Sequence, residues 1–219
     1  MTTFLDPIWI SLKIALVASV IVTVLGISVS RLMAGRTFRG KSIIDTVIML
    51  PLVLPPSVVG FILLVLFGAS SPIGKWIEAV FNHPLVFTWQ AGVIAASVVA
   101  FPLMYQSAKV GFEAVDRDIE DAARVDGAGK WMVLKRVSIP LASNALISGI
   151  ILSFARALGE FGATLMFAGN LPGKTQTMPT AIYVAIDSGQ MTLAWSWVVI
   201  TIVLSMVMLL LSYRATIRT

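Results

Sequence analysis

The sequence predicts an all-α, polytopic membrane helix bundle forming one transmembrane domain over residues 1–219, and three observations lead there. Hydrophobic residues make up 58% of the chain and charged residues 12%, against about 25% charged in soluble domains. Five apolar stretches, near 8–30, 42–68, 88–108, 139–168 and 192–213, reach the roughly 20 residues needed to cross a hydrocarbon core. The bases between them fall on alternate loops. Residues 31–41 carry Arg31, Arg36, Arg39 and Lys41, residues 109–136 carry Lys109, Arg117, Arg124, Lys130, Lys135 and Arg136, and the tail carries Arg214 and Arg218. The opposite loops hold only Lys75 and Lys174. In a plasma (inner) membrane, the expected location, the positive-inside rule predicts the N-terminus outside and the C-terminus in the cytoplasm.

Taken in order, the first stretch has no Lys or Arg in residues 1–12 and no small-residue cleavage site, so it is expected to stay as a span. Lys13 near its outer end can snorkel to the interface. The 31–41 segment, with Gly35 and Gly40, reads as a cytoplasmic turn. The second stretch is interrupted by Pro51, Pro55 and Pro56, which remove three backbone donors within six residues. A break of this kind survives in lipid only where protein or a watery cavity satisfies the freed carbonyls, so residues 51–60 are expected inside the bundle. A conduction path and a plain packing kink both fit. Residues 69–87 read as an outer loop with Trp76 and Trp89 at its borders. The third span contains Pro102.

The fourth stretch is too long for one helix: 137–168 would measure roughly 48 Å against a core of roughly 30 Å. It holds Arg156 and Glu160 deep in the apolar run, with Gly159 and Gly162 beside them. We expect a helix to about Leu158, a break, and a short outward helix through Phe167. The charges, at i and i+4, fit either a structural ion pair or a pathway. Residues 169–190 read as a polar outer loop with a short amphipathic piece, and a last span follows.

The cytoplasmic 109–136 loop carries the most specific pattern. Asp116 to Val125 reads as a short amphipathic helix, Gly127 and Gly129 as a sharp turn, Trp131, Met132 and Leu134 as the start of a second helix, and Pro140 as the first turn of the next span. Asp121, Ala122 and Ala123, three residues, Gly127, nine residues, then Val137, Ser138, Ile139 and Pro140 resemble the EAA loop of ABC-importer permeases in spacing throughout. Asp121 replaces Glu, Val137 replaces Ile, Ile139 replaces Leu, and Glu120 stands one place early. The Leu50 to Pro56 run and residues 159–164, with Glu160, Phe161 and Thr164, are similar to the permeases for tetrahedral oxyanions, molybdate permeases in particular.

The resemblance implies a type I ABC importer permease that works as a homodimer on two ATP-binding subunits, with an extracytoplasmic oxyanion-binding protein delivering molybdate or tungstate. It assigns Glu120, Asp121, Ala122, Ala123, Gly127, Ile139 and Pro140 to ATPase coupling. It assigns Pro51, Pro55, Pro56, Arg156, Gly159, Glu160, Phe161, Gly162 and Thr164 to the gate and translocation path. ATP and Mg would belong to the partner ATPase, with no cofactor on this chain. A sulfate or thiosulfate permease shares the architecture. An ion-coupled secondary carrier, using Arg156, Glu160 and the proline break, is the reading from another class.

Several chemistries lack their residues. The absence of cysteine removes thiolate metal sites and cysteine nucleophiles, and the single His83 leaves no histidine cluster for metal or for a catalytic triad. Gly127 to Lys130 superficially resembles a phosphate loop, but Trp131 follows the lysine and Arg124 stands in place of the first glycine. We expect no catalysis by this chain. The net charge of +5 is accounted for by topology, so no nucleic-acid partner is expected.

Overall fold

A computed structural model describes residues 4–217, with side chains to Leu210. Arg214 and Arg218, which carry the tail's positive charge, lie outside the residues whose side chains are described. Described residues contain helices and turns and no strand.

Three long helices are apolar enough to cross a membrane: α1 (Asp6–Met33), α5 (Trp89–Glu113) and α12 (Met191–Ile217). Two bent pairs bring the number of spans to five if each pair counts as one. The first pair is α2 (Lys41–Val53) and α3 (Pro56–Phe67), set at 112°. Here the expectation needs correcting. Pro51 sits inside α2 rather than ending it, leaving the Val47 carbonyl without its helical donor, and the break is confined to Leu54 and Pro55. Nor is the whole 51–60 stretch buried: within the single chain only Val59 and Gly60 are.

The second bent pair corrects the role of Pro140. α7 (Lys130–Val133), a π turn (Leu134–Ser138) and α8 (Ile139–Leu141) form one continuous rod, and the 75° bend to α9 (Ser143–Leu158) falls at Ala142. Pro140 thus lies on the rod, two residues before the bend. Because proline offers no donor, the ladder before it slips to a wider spacing, and Ile139 N–H bonds to the Leu134 carbonyl.

The expected second break is present: α9 ends at Leu158 and α10 (Gly162–Phe167) resumes after 159–161. α10 and α11 (Met178–Asp187) have 6 and 10 residues, roughly 9 and 15 Å, too short to add a further span. The 69–87 loop is more ordered than expected. It contains α4 (Pro72–Phe81), whose first turn is capped by the Ser71 hydroxyl accepting from Gly74 N–H at 2.8 Å.

Two apolar clusters meet along α5. One joins Ile14, Ala18 and Val22 of α1 to Ala96, Ala100 and Met104 of α5 and to Leu146 and Phe154 of α9. The other joins Val59 and Leu63 of α3 to Ala91, Ala95 and Val99 of α5 and to Ala163 and Phe167 of α10. Alanines at these contacts let backbones approach closely, the usual way that helices gain dispersion energy in lipid. α2 buries no side chain. An ion pair fastens it instead: Lys109 Nζ on α5 lies 2.7 Å from Asp45 Oδ2, and the Tyr105 hydroxyl donates to Asp45 Oδ1.

Candidate functional site

The loop between α5 and α9 is built as a rigid bracket. α6 (Arg117–Val125) is capped by the Asp116 carboxylate, which accepts from Asp118 N–H at 2.9 Å. It closes in a Schellman motif: Gly127 N–H bonds to the Arg124 carbonyl and Ala128 N–H to the Ala123 carbonyl, both at 3.0 Å. Gly127 takes φ +90°, a conformation that a side chain makes costly, and this fixes the angle between α6 and the α7–α8 rod.

Glu120 ties the bracket together. Only 7% exposed, it accepts from Arg31 Nη2 at 2.8 and 3.0 Å, from Arg124 Nη2 at 3.1 Å and from the Ser138 hydroxyl at 2.6 Å. Burial pushes its carboxyl up, but Arg31, Ser138 and Arg124 outweigh that and hold it below the ordinary 4.5. A second tie runs from Arg117 Nη2 to the Gly35 carbonyl at 2.6 Å. The end of α1, α6 and the rod therefore behave as one body.

Among the residues expected to meet an ATPase, Glu120 is largely buried within the chain and held by its own Arg31, Arg124 and Ser138. Asp121 is exposed and paired to Arg124, Ala122 is exposed, Ala123 is half-buried, and Gly127 forms the open turn. Ile139 is half-buried against the first core cluster and Pro140 is exposed. The outward surface instead offers apolar side chains on a loop otherwise rich in charge: Val125 (88% exposed), Trp131 (74%), Ile119 and Met132.

The two breaks meet. A Cβ on Gly162 would come within 3.0 Å of the Pro56 side chain, and one on Gly60 within 2.9 Å of the Ala163 Cα, so glycines let α3 and α10 cross at backbone contact. Glu160, 2% exposed, lies in the 159–161 break. Its Oε2 accepts from Arg156 Nη1 at 2.7 Å, and its Oε1 accepts from Ala163 N–H at 2.8 Å, capping α10. The expected break and the ion pair coexist because Glu160 bonds both sides of the interruption. The Phe161 ring is half-buried, 5.7 Å from that of Tyr183 on α11. Thr164 is buried in α10, Gly159 is exposed, Pro55 precedes α3, and Pro51 stands apart on α2. Among the described residues no three metal-ligating side chains converge.

Sequence reasoning missed Arg31 and Ser138 as structural partners, and Asp45, Tyr105 and Lys109 as a cluster. Arg31 lies 89 residues from Glu120, and only the fold shows that they touch.

Residues 23–216 match the family model described as a binding-protein-dependent transport system inner membrane component. The chain belongs to this family. This inner-membrane transport component is 59% identical over 206 residues to the putative molybdenum transport system permease protein YvgM of Bacillus subtilis (strain 168), covering 94% of this chain and 91% of that one. It is 42% identical over 212 residues to the molybdenum transport system permease protein ModB of Escherichia coli (strain K12), covering 94% and 93%. Its fold resembles that of a chain from the MetNI methionine ABC transporter in an inward-facing conformation, with TM-score 0.72 at 13% identity over 97% of this chain and 94% of that one.

Proposed function

We propose that this inner-membrane component is the permease subunit of an ATP-driven importer of a tetrahedral oxyanion, molybdate or its near-isostere tungstate. Two copies form the path, two separate ATPase subunits bind ATP and Mg, and an extracytoplasmic binding protein delivers the anion. The observation that carries the coupling half of this reading is the rigid α6–α8 bracket with Val125, Trp131 and Met132 outward. A water-facing apolar surface on a stiff lever suits a partner that swings it. Substrate class rests on the molybdenum permeases to which the chain is similar over nearly its whole length.

In this reading ATPase closure moves the bracket, and through Glu120 and Arg31 it moves α1 as well as α9. At the far side the crossing of α3 and α10 forms the gate, with Phe161 as an apolar plug. Arg156 and the Ala163 amide neutralise Glu160, so a passing dianion meets no bare carboxylate. The N-terminus lies outside and the C-terminus in the cytoplasm.

The test is ATPase activity of the reconstituted complex with its binding protein, comparing molybdate, tungstate and sulfate. Stimulation by molybdate and tungstate over sulfate is expected. Stimulation by sulfate alone would reassign the substrate, and uptake abolished by a protonophore while ATP is held constant would favour an ion-coupled carrier.

A further inference from the structure

Where α1 leaves the membrane, a pocket of about 500 Å3 opens between its end and α6. Arg117, Glu120, Asp121 and Arg124, spaced i, i+3, i+4 and i+7, form one face of α6 and line it. Arg31 and Arg36 close the other side, over an apolar floor that includes Phe112. The charges do not cancel. Glu120 is taken by Arg31 and Arg124, Asp121 by Arg124, and Glu113 lies 3.8 Å from Lys41. Arg117 bonds only a carbonyl, and Arg36 makes no ion pair among the described residues. Two guanidiniums therefore face the pocket without a counter-anion.

Depth selects the ligand. α1 has 28 residues, roughly 42 Å, against a hydrocarbon core of roughly 30 Å, so its charged end stands among headgroups. The pocket also lies on a different face of α6 from Ile119, Ala122 and Val125, the face offered to a cytoplasmic protein. Guanidinium forks match phosphate oxygens bidentately, and basic pockets at this level hold anionic headgroups. We propose that this pocket binds the phosphate of an anionic phospholipid of the cytoplasmic leaflet, with Arg36 and Arg117 as its ligands. The lipid would then brace the α1–α6 joint from the membrane side. This inference depends on the membrane orientation and is independent of which oxyanion is carried.

The experiment uses the purified assembly in nanodiscs of phosphatidylcholine with or without phosphatidylglycerol, and native mass spectrometry to count retained phosphatidylglycerol. Arg36→Gln and Arg117→Gln are each expected to weaken retention about fivefold, the scale of one basic contact at an anionic surface. Arg39→Gln, which removes the same charge outside the pocket, should change it less than twofold. An equal loss in Arg39→Gln would mean diffuse surface charge and overturn the site. Inorganic phosphate displacing the lipid at millimolar concentration, with the same Arg36 dependence, would assign the pocket to a free anion. Detachment of a protein subunit from the Arg36→Gln assembly with lipid retention unchanged would assign it to a protein interface and also overturn the proposal.

Discussion

Replacing Glu120 by Gln keeps the side chain's size and its bond to Ser138 but removes the charge that Arg31 and Arg124 share. Arg124 retains Asp121, and its side chain is 44% exposed, so solvent screening makes that loss small. Arg31 is only 27% exposed and loses its only anionic partner among the described residues. A charge-assisted bond contributes about 1.5–3 kcal/mol, and a half-buried guanidinium left unpaired adds to the loss, so the joint should weaken by about 2–3 kcal/mol. At tenfold per 1.4 kcal/mol, amides of α6 and of the π turn should then exchange with solvent roughly 30- to 150-fold faster in hydrogen–deuterium exchange. The long spans should keep their protection. Uptake per ATP hydrolysed should fall, because the bracket no longer moves as one body. Asp121→Asn, at an exposed pair, should change exchange only a few-fold. Protection in Glu120→Gln within threefold of the parent, with an unchanged coupling ratio, would refute the reasoning. The sign with pH follows from the same contacts. A carboxyl held below 4.5 stabilises the joint above its unfolded value, so the joint should be intact at neutral pH and loosen only as pH falls through the depressed folded value.

Three further outcomes are expected. Gly127→Val forces a β-branched residue to φ +90° and should cost about 1–2 kcal/mol at the α6 turn; the protein should reach the membrane but lose ATPase coupling, and normal uptake would contradict the bracket's role. A cysteine at Gly129 should resist impermeant maleimide added outside intact cells, and its labelling there would reverse the topology. Phe161→Ala opens the contact with Tyr183 and should raise basal ATPase activity or leak, whereas lower expression at an unchanged coupling ratio would make that ring a packing residue only.

Much of this arrangement can be read in the chain because each feature has a local cause. Asp116 caps, Gly127 turns, and Gly159 and Gly162 flank a charge that a continuous apolar helix would not carry. The charge pattern of the loops needs no tertiary knowledge. What escaped was non-local or cooperative. Glu120 reads as an outward acid beside Asp121 until α1 supplies Arg31. Pro51 and Pro55 are the same residue type, yet only Pro55 breaks its helix, because Leu54 before it takes the extended conformation while Pro51 is absorbed at the cost of a single carbonyl. Pro140 likewise suggested a helix start, but the rod continued past it by widening one turn. α4 escaped although Ile73, Trp76, Ile77, Val80 and Phe81 fall at helical spacing after Ser71 and Pro72, because the small residues of the segment read as a loop.

The 112° bend between α2 and α3 has a bearing on biogenesis. With 13 and 12 residues, roughly 20 and 18 Å, neither half crosses a bilayer alone, so the two must enter it together as one apolar segment. The contacts that hold the bend, Pro56 on Gly162 and Gly60 on Ala163, come from a helix made about a hundred residues later. The newly inserted segment is therefore free to stand straighter than it finally does, and its elbow is set only when α10 arrives. Assembly is ordered by synthesis: α1 and α5 can dock first, and the crossing of α3 and α10 takes shape only afterwards.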